Sequence, residues 1–522
     1  MSNGRTAGLV VAVACTGAAV AQQVLLIAGY GSLLPGWQPW PFLLLAAPAW
    51  WWARGRWRPV ERSGLGIRRL GAIPGPVYGI AVLALAAGVW AWLQPYEPYI
   101  GHEEAVYADK ARAWADGTPA AGWGTYRPPG LPALGRVALA VHDDVGALRA
   151  TGLVLVLFTL TVTYLVAARW TTPRRGAVVA LVVLSGLGFL RRVPEFLNDI
   201  GATGLLLLVV WLLTRAQEVR RSWSLPLAAG VAVMAFYLRY GVVGNLVAIA
   251  AAAVVAYGPG AWWRVRRRLA AAGLVLAAGL LPHFVYATEV TGSPLGLVLS
   301  ATEQANRVYV GDGLLYYLAI FPYRLAGDLG AVLMTAGLAL AARGRNARRR
   351  FLGLASVLVF VVLGLATDGE PRFVFLPVIL LTVLGVEALG RWRTALAAVA
   401  GLAVLTVGGT AQVVAHGAMP DPVRQSASTV PVARALAGGD EPCLVVTGYE
   451  PETGWYSGCD AVTYGQYRGA PEGTRVTLVL YERGRLQPGR AELTRLIGHH
   501  EPTVRRIPTA GSLGTATLIT WR

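Results

Sequence analysis

The sequence predicts a polytopic α-helical membrane protein carrying a small C-terminal extracytoplasmic α/β domain, and three observations predict it. Of 522 residues 55% are hydrophobic and 14% charged, with a mean hydropathy of +0.51, too apolar a balance for a soluble chain of this length. Apolar runs recur as far as about residue 414, each near the length that crosses a hydrocarbon core of about 30 Å. The arginines gather in short clusters between those runs, as cytoplasmic loops do under the positive-inside rule. The net charge of +18 is thus an orientation signal and does not point to nucleic acid.

The elements follow in order. A run at about 7–29 lacks a small-residue cleavage site followed by a soluble domain and reads as a retained helix. A second run at about 38–53 carries Trp37, Trp40, Trp50, Trp51 and Trp52, residues suited to interfacial belts. Arg54, Arg56, Arg58, Arg62, Arg68 and Arg69 then mark a cytoplasmic loop. A helix at about 73–94 runs outward from it and leaves 95–132 outside. Further spans are expected at about 147–168, 176–190, 199–214, 225–239, 242–257, 269–287, 327–342, 351–366, 372–389 and 394–414. Threaded in alternation, they put Arg169/Arg174/Arg175, Arg264/Arg266/Arg267/Arg268 and Arg343/Arg345/Arg348 inside, for about 13 spans in all.

The odd count leaves 415–522 outside the cytoplasm. Its pattern is a helix at Val430–Leu436, strands at Cys443–Thr447 and Arg475–Tyr481, a helix at Ala491–Ile497, and strands near Val504–Ile507 and Ala516–Trp521. A bridge between Cys443 and Cys459 would require an oxidising compartment, and their spacing does not make a metal site. The chain therefore divides into two N-terminal helices with a basic loop at 1–72, a transmembrane module at 73–414 with outer loops 95–146 and 288–326, and the α/β domain at 415–522.

The chemistry concentrates in the polar stretch 96–132. His102, Glu103 and Glu104 open a short helix expected to reach Asp116-Gly117, and at 3.6 residues per turn Glu103, Tyr107, Lys110 and Trp114 share one face. Acidic residues in a first helical turn complement the helix dipole. A carboxylate pair at a membrane–water boundary is also partly desolvated, which raises its pKa toward that of a useful base. His102 with Glu103 leaves a divalent metal open, although one His without a second is a weak zinc set. Tyr126 and Arg127 precede Pro128-Pro129, which stiffen the chain before it re-enters the membrane. Arg191-Arg192 stand outside against the positive-inside trend, followed by Glu195 and Asp199, spaced i,i+4 as if on one helix face. Arg239, in Tyr237-Leu238-Arg239-Tyr240, and Arg372, after Glu370-Pro371, complete a set of outer arginines suited to bidentate phosphate contact.

The order and sidedness of these features resemble the GT-C superfamily of integral-membrane glycosyltransferases, in particular the protein O-mannosyltransferase and lipid A aminoarabinose transferase branches. The residues that carry the resemblance are Glu103-Glu104-Ala105-Val106-Tyr107, Tyr126-Arg127-Pro128-Pro129, Pro194-Glu195 with Asn198-Asp199, Leu238-Arg239-Tyr240, and Arg372-Phe373 leading to Leu376-Pro377. Where the family has Asp-Glu this chain has Glu-Glu, which keeps Glu103 and Glu104 both as candidates for the base, and two helices precede the family's first. The resemblance implies transfer of a sugar from a polyprenyl-phosphate donor to an acceptor hydroxyl, with inversion. Glu103 is then the general base, and Arg127, Arg239 and Arg372 meet the phosphate. It implies membrane lipids as surroundings and leaves the acceptor open among protein, glycan, lipid and small metabolite. A transporter or flippase of a lipid-linked sugar is the main alternative, although transporters place polar groups at the midplane and show internal repeats. A non-catalytic membrane assembly protein is the other. The near absence of lysine, with abundant Ala and Gly, suggests a GC-rich bacterial genome and a plasma-membrane protein.

Overall fold

The computed structural model describes residues 2–30, 40–53, 74–113, 127–219, 222–303, 309–320, 325–343, 346–390, 393–438 and 441–522. The arginine loop at 54–69, Trp114 to Gly117, and Tyr126 lie outside the described residues.

Helices occupy each stretch expected to be a span. Among the described residues, however, eight are long and apolar enough to cross a membrane, against the expected count of about 13. The difference lies in helices such as Trp40–Ala53, Ser224–Leu238 and Val242–Tyr257, of 14, 15 and 16 residues. These are apolar but short for a crossing of about 20 residues. Gly186 likewise divides one expected span into Pro173–Ser185 and Leu187–Leu190.

The chain forms two compact units. The first comprises Met1–Ala91, Val154–Val193 and Asp199–Val414. Small residues let its helices approach closely, the usual solution where no hydrophobic driving force acts between helices in lipid. Gly337, on the Gly327–Arg343 helix, faces the backbone of Leu381 and Gly385, and Gly385, on the Phe375–Ala388 helix, faces the backbone of Leu333. The crossing is thus made of main chain against main chain. The N-terminal Ser2–Ile27 helix packs on Trp40–Ala53 and on Arg393–Val413. Gly408 and Gly409 of the latter admit the side chains of Ile27 and Gln23.

The second unit comprises Trp92–Leu153, Pro194–Asn198 and Ala415–Arg522. Its sheet has the order β2-β1-β3-β5-β4, with β1 at Cys443–Val446, β2 at Asp460–Val462, β3 at Arg475–Tyr481, β4 at Thr503–Ile507 and β5 at Ala516–Trp521. β1 runs parallel to β2 and β3, while β5 runs antiparallel to β3 and β4. The two-residue period of the strands sorts their side chains onto two faces. Val445, Val479, Tyr481 and Leu518 meet Val432 and Leu436 of the Pro420–Leu436 helix, whereas Val446, Val476, Leu478 and Ile519 meet Leu496 of the Arg490–Ile497 helix. Cys443 and Cys459 are joined in a disulfide with Cα atoms 5.0 Å apart, tying the start of β1 to the approach to β2. The β2 strand and the Glu450–Ser457 helix before it were not expected from the sequence.

The Gly337–Gly385 crossing gives a first prediction. In Gly385→Val the new side chain must displace backbone, an overpacking cost of about 1–3 kcal/mol or more. Thermal unfolding in detergent should shift down by several degrees; an unchanged midpoint would show that the crossing tolerates a larger residue.

Candidate active site

The His102–Arg112 helix is the centre of the polar part of the second unit. It begins after Gly101, whose N–H donates to Glu104 Oε2 at 2.9 Å, so Glu104 caps its own helix. Glu104 also accepts from the Phe196 N–H at 2.7 Å and takes Arg149 side-on, with Nε to Oε1 at 3.1 Å and Nη2 to Oε2 at 2.9 Å. The remaining Arg149 N–H groups donate to the Tyr99 carbonyl at 2.8 Å, the Gln94 side chain at 3.4 Å and the Glu97 carbonyl. Both side chains are 3% exposed. Burial pushes the Glu104 carboxyl up, but Arg149 and the two backbone donors more than offset it and hold the group below the ordinary carboxylate range. Glu103, its neighbour, is only half-buried.

Tyr107 lies one turn on, buried, and Asn198 Nδ2 donates to its hydroxyl at 3.0 Å. The Arg127 guanidinium lies 5.5 Å from the Tyr107 ring centroid. Lys110, nine-tenths buried, donates to the Arg127 carbonyl at 2.7 Å. Glu103, Tyr107 and Lys110 thus belong to one helix, as their spacing predicts, and Arg127 is held against its later turn. Burial, with a smaller contribution from the Arg127 charge, lowers the Lys110 pKa to about 8. Asp109, between these residues and the C-terminal domain, is driven well above the usual carboxylate range by burial, which Arg112 opposes and Glu452 reinforces.

His102 does not face a partner set suited to a metal. Its Nδ1 lies 2.8 Å from Glu452 Oε2 and 3.0 Å from Arg485 Nη2, and no group of three His, Cys, Asp or Glu able to hold a metal ion occurs among the described residues.

Asp199, Arg239 and Arg372 belong to the first unit. Asp199 pairs with Arg239 and lies 3.8 Å from Arg372. Arg372 also meets Glu370 at 3.2 Å, and Arg192 approaches Glu370 at 3.8 Å. Phe373 lies under the Arg239 guanidinium, 4.3 Å from its centroid. Two of the three arginines expected at a phosphate therefore share one carboxylate, Asp199. The expected pairing of Glu195 with Asp199 on a helix face is corrected: the helix begins at Asp199 and Glu195 precedes it in a non-helical segment, where the Phe196 N–H is given to the Glu104 carboxylate instead of a helical carbonyl. The structure adds Arg149, Glu452 and Arg485 to the polar framework. Of these, Arg149 had a legible signal, a lone arginine near the start of an apolar run.

Two predictions follow from this geometry. Arg149→Leu leaves Glu104 buried without its counter-charge and should lower stability by about 3–5 kcal/mol. Much of that should return in Arg149→Leu with Glu104→Leu, as read by thermal unfolding; equal stability of the single variant and wild type would refute a stabilising role for the Glu104–Arg149 pair. Lys110 is the chain's only lysine, so lysine-labelled protein reports it as one side-chain NMR signal. The signal should titrate near pH 8 rather than at the ordinary 10.5. Between those values the unfolded chain holds a proton that the folded chain has released, so stability contributed through Lys110 should rise with pH across that window.

No protein-family model matches the sequence, and no curated protein matches it. Solved structures do. ArnT from Cupriavidus metallidurans bound to undecaprenyl phosphate aligns with a TM-score of 0.67 at 14% identity, covering 84% of this chain and 97% of that one. Its apo state aligns with a TM-score of 0.67 at 15% identity over the same shares. The Archaeoglobus fulgidus oligosaccharyltransferase in complex with zinc and sulfate aligns with a TM-score of 0.45 at 12% identity, over 83% of this chain and 72% of its own. With eight helices among the described residues long and apolar enough to cross a membrane, the chain is an integral membrane protein whose fold is similar to that of ArnT, the lipid A aminoarabinose transferase of the GT-C superfamily.

Proposed function

We propose that the chain is a glycosyltransferase of GT-C type that moves a sugar from a polyprenyl-phosphate donor to an acceptor hydroxyl. The observation that carries the reading is the unequal treatment of two adjacent carboxylates on an ArnT-like fold. Glu104 is committed to Arg149 and two backbone donors, and the more accessible, half-buried Glu103 is the acid assigned to take the proton. The likeness to a structure bound to undecaprenyl phosphate supports a lipid phosphate as the donor's carrier.

In the reaction the acceptor oxygen attacks the anomeric carbon as Glu103 takes its proton. The bond from that carbon to the phosphate oxygen breaks, and the electron pair leaves with the polyprenyl phosphate. Arg127, Arg239 and Arg372 are assigned to stabilise the charge that develops there, and Tyr107, Tyr126, His102, Glu195 and Asp199 are kept as further candidates. A single displacement inverts the anomeric centre. The catalytic module is 73–414, preceded by two helices and a basic cytoplasmic loop at 1–72 and followed by an extracytoplasmic domain at 415–522. The disulfide in that domain supports an oxidising compartment, in keeping with a bacterial plasma membrane.

The test is transfer of labelled sugar from a pool of synthetic polyprenyl-phosphate sugars by the purified protein. Glu103→Gln should bind donor yet lose turnover by about 10²–10⁴-fold. Full turnover in Glu103→Gln would move the base elsewhere. Movement of the sugar lipid across liposomes without transfer would favour a flippase.

A further inference from the structure

One eight-residue helix of the C-terminal domain grips both ends of the helix that carries Glu103. At the near end the Ile100 N–H donates to the Tyr456 hydroxyl at 2.9 Å, and Glu452 lies 2.8 Å from His102 Nδ1. At the far end Arg112 donates to the Trp455 carbonyl at 3.0 Å and stacks on its ring, 3.5 Å from the centroid. All three partners belong to Glu450–Ser457, and the Cys443–Cys459 disulfide closes the segment that contains it.

Arg485 reaches the same histidine from a second direction. Its Nε donates to the Gly448 carbonyl at 2.8 Å, its guanidinium lies over Tyr449, and Nη2 stands 3.0 Å from His102 Nδ1. The next residue, Leu486, has φ of 54°, a left-handed conformation costly for leucine. A side chain at Gly448 would meet the Arg485 carbonyl, so only glycine admits this approach. The loop is thus held in an unfavourable conformation that aims Arg485 at His102.

Stability alone explains this contact poorly. Two helices need only apolar side chains to pack, yet this interface buries Glu452 to 4% exposure. Asp109 lies close to Gly454 across it, and Glu450 is nine-tenths buried with Oε2 lacking a hydrogen-bond partner. Burial raises the pKa of both Asp109 and Glu450. Buried charge generally costs more than an apolar replacement would, but it fixes direction. His102 directly precedes Glu103 in the first helical turn, so what holds His102 acts beside the Glu104–Arg149 pair on the orientation of that turn and on the aim of Glu103.

We propose that Glu452 and Arg485 are positioning residues for the transfer reaction, acting through His102 to orient Glu103. The proposal rests on the function read above. It is tested in the full-length protein by His102→Ala, Glu452→Ala and the double variant, with intact mass checking that the disulfide has formed. Turnover of the polyprenyl-phosphate sugar pool should fall about 10–100-fold in each single variant, as small misplacements of a reacting group do. Donor KM should stay within about twofold, and the double variant should be no worse than either single one, because one linkage is being cut. Hydrogen exchange at the amides of 103–107 should quicken in Glu452→Ala. Additive losses, full turnover, or unchanged exchange would overturn the proposal. If the wild type transfers no sugar, the functional reading fails, but the exchange measurement still decides the positioning: faster exchange in Glu452→Ala supports it and unchanged exchange overturns it.

Discussion

The polar half of the second unit depends on one buried ion pair. An arginine and a glutamate, each 3% exposed, have left water, and the desolvation of two such charges is several kcal/mol each unless every donor and acceptor is matched. Here they are matched. Glu104 takes Arg149 with both oxygens and receives the N–H groups of Gly101 and Phe196, while Arg149 spends its other donors on Gln94 and on the carbonyls of Glu97 and Tyr99. One pair thereby joins the 94–101 segment, the His102–Arg112 helix, the start of Val145–Trp170 and the 194–198 segment. Gly152 completes the last of these joints, since any side chain there would run into the Glu195 backbone.

The same pair sets the chemistry of its neighbours. Fixing Glu104 at the third helical position fixes the rotation of the helix, so Tyr107 is met by Asn198 and Lys110 by the Arg127 carbonyl. An acid that is fully hydrogen-bonded and charge-paired has its pKa held low and is a poor base. Two identical adjacent residues thus differ in setting, Glu104 buried in an ion pair and Glu103 half-buried. In the first unit Asp199 plays a comparable part. It gathers Arg239 and Arg372, which would otherwise repel each other, and Phe373 offers its ring face to both guanidinium groups.

The C-terminal domain is more than an appendage to these elements. Its five-stranded sheet is covered on both faces, and its Glu450–Ser457 helix lies against the His102–Arg112 helix. A helix of eight residues is marginal on its own. It is held by the disulfide at its flanks, by packing on the sheet, and by the polar contacts to His102, Ile100 and Arg112.

The sequence by itself determined what depends on periodicity and bulk polarity. Apolar runs placed the helices, because a chain in lipid must satisfy its backbone internally, and two-residue alternation placed β1, β3, β4 and β5 to within about two residues. Helical spacing also put Glu103, Tyr107 and Lys110 on one helix. The Glu450–Ser457 helix and the three-residue β2 were illegible, since EPETGWYS carries Pro and Gly and no apolar period. The short helices around Arg239 read as spans because composition alone does not give a crossing length. Only the tertiary structure decided which glutamate is locked, that Glu195 precedes its helix while Asp199 begins one, and that His102 turns toward Glu452. Each of these is settled by a partner distant in the chain: Arg149 is 45 residues from Glu104, and Glu452 is 350 from His102. The charge state and direction of a buried side chain follow from its partners in space, and local sequence carries no record of them.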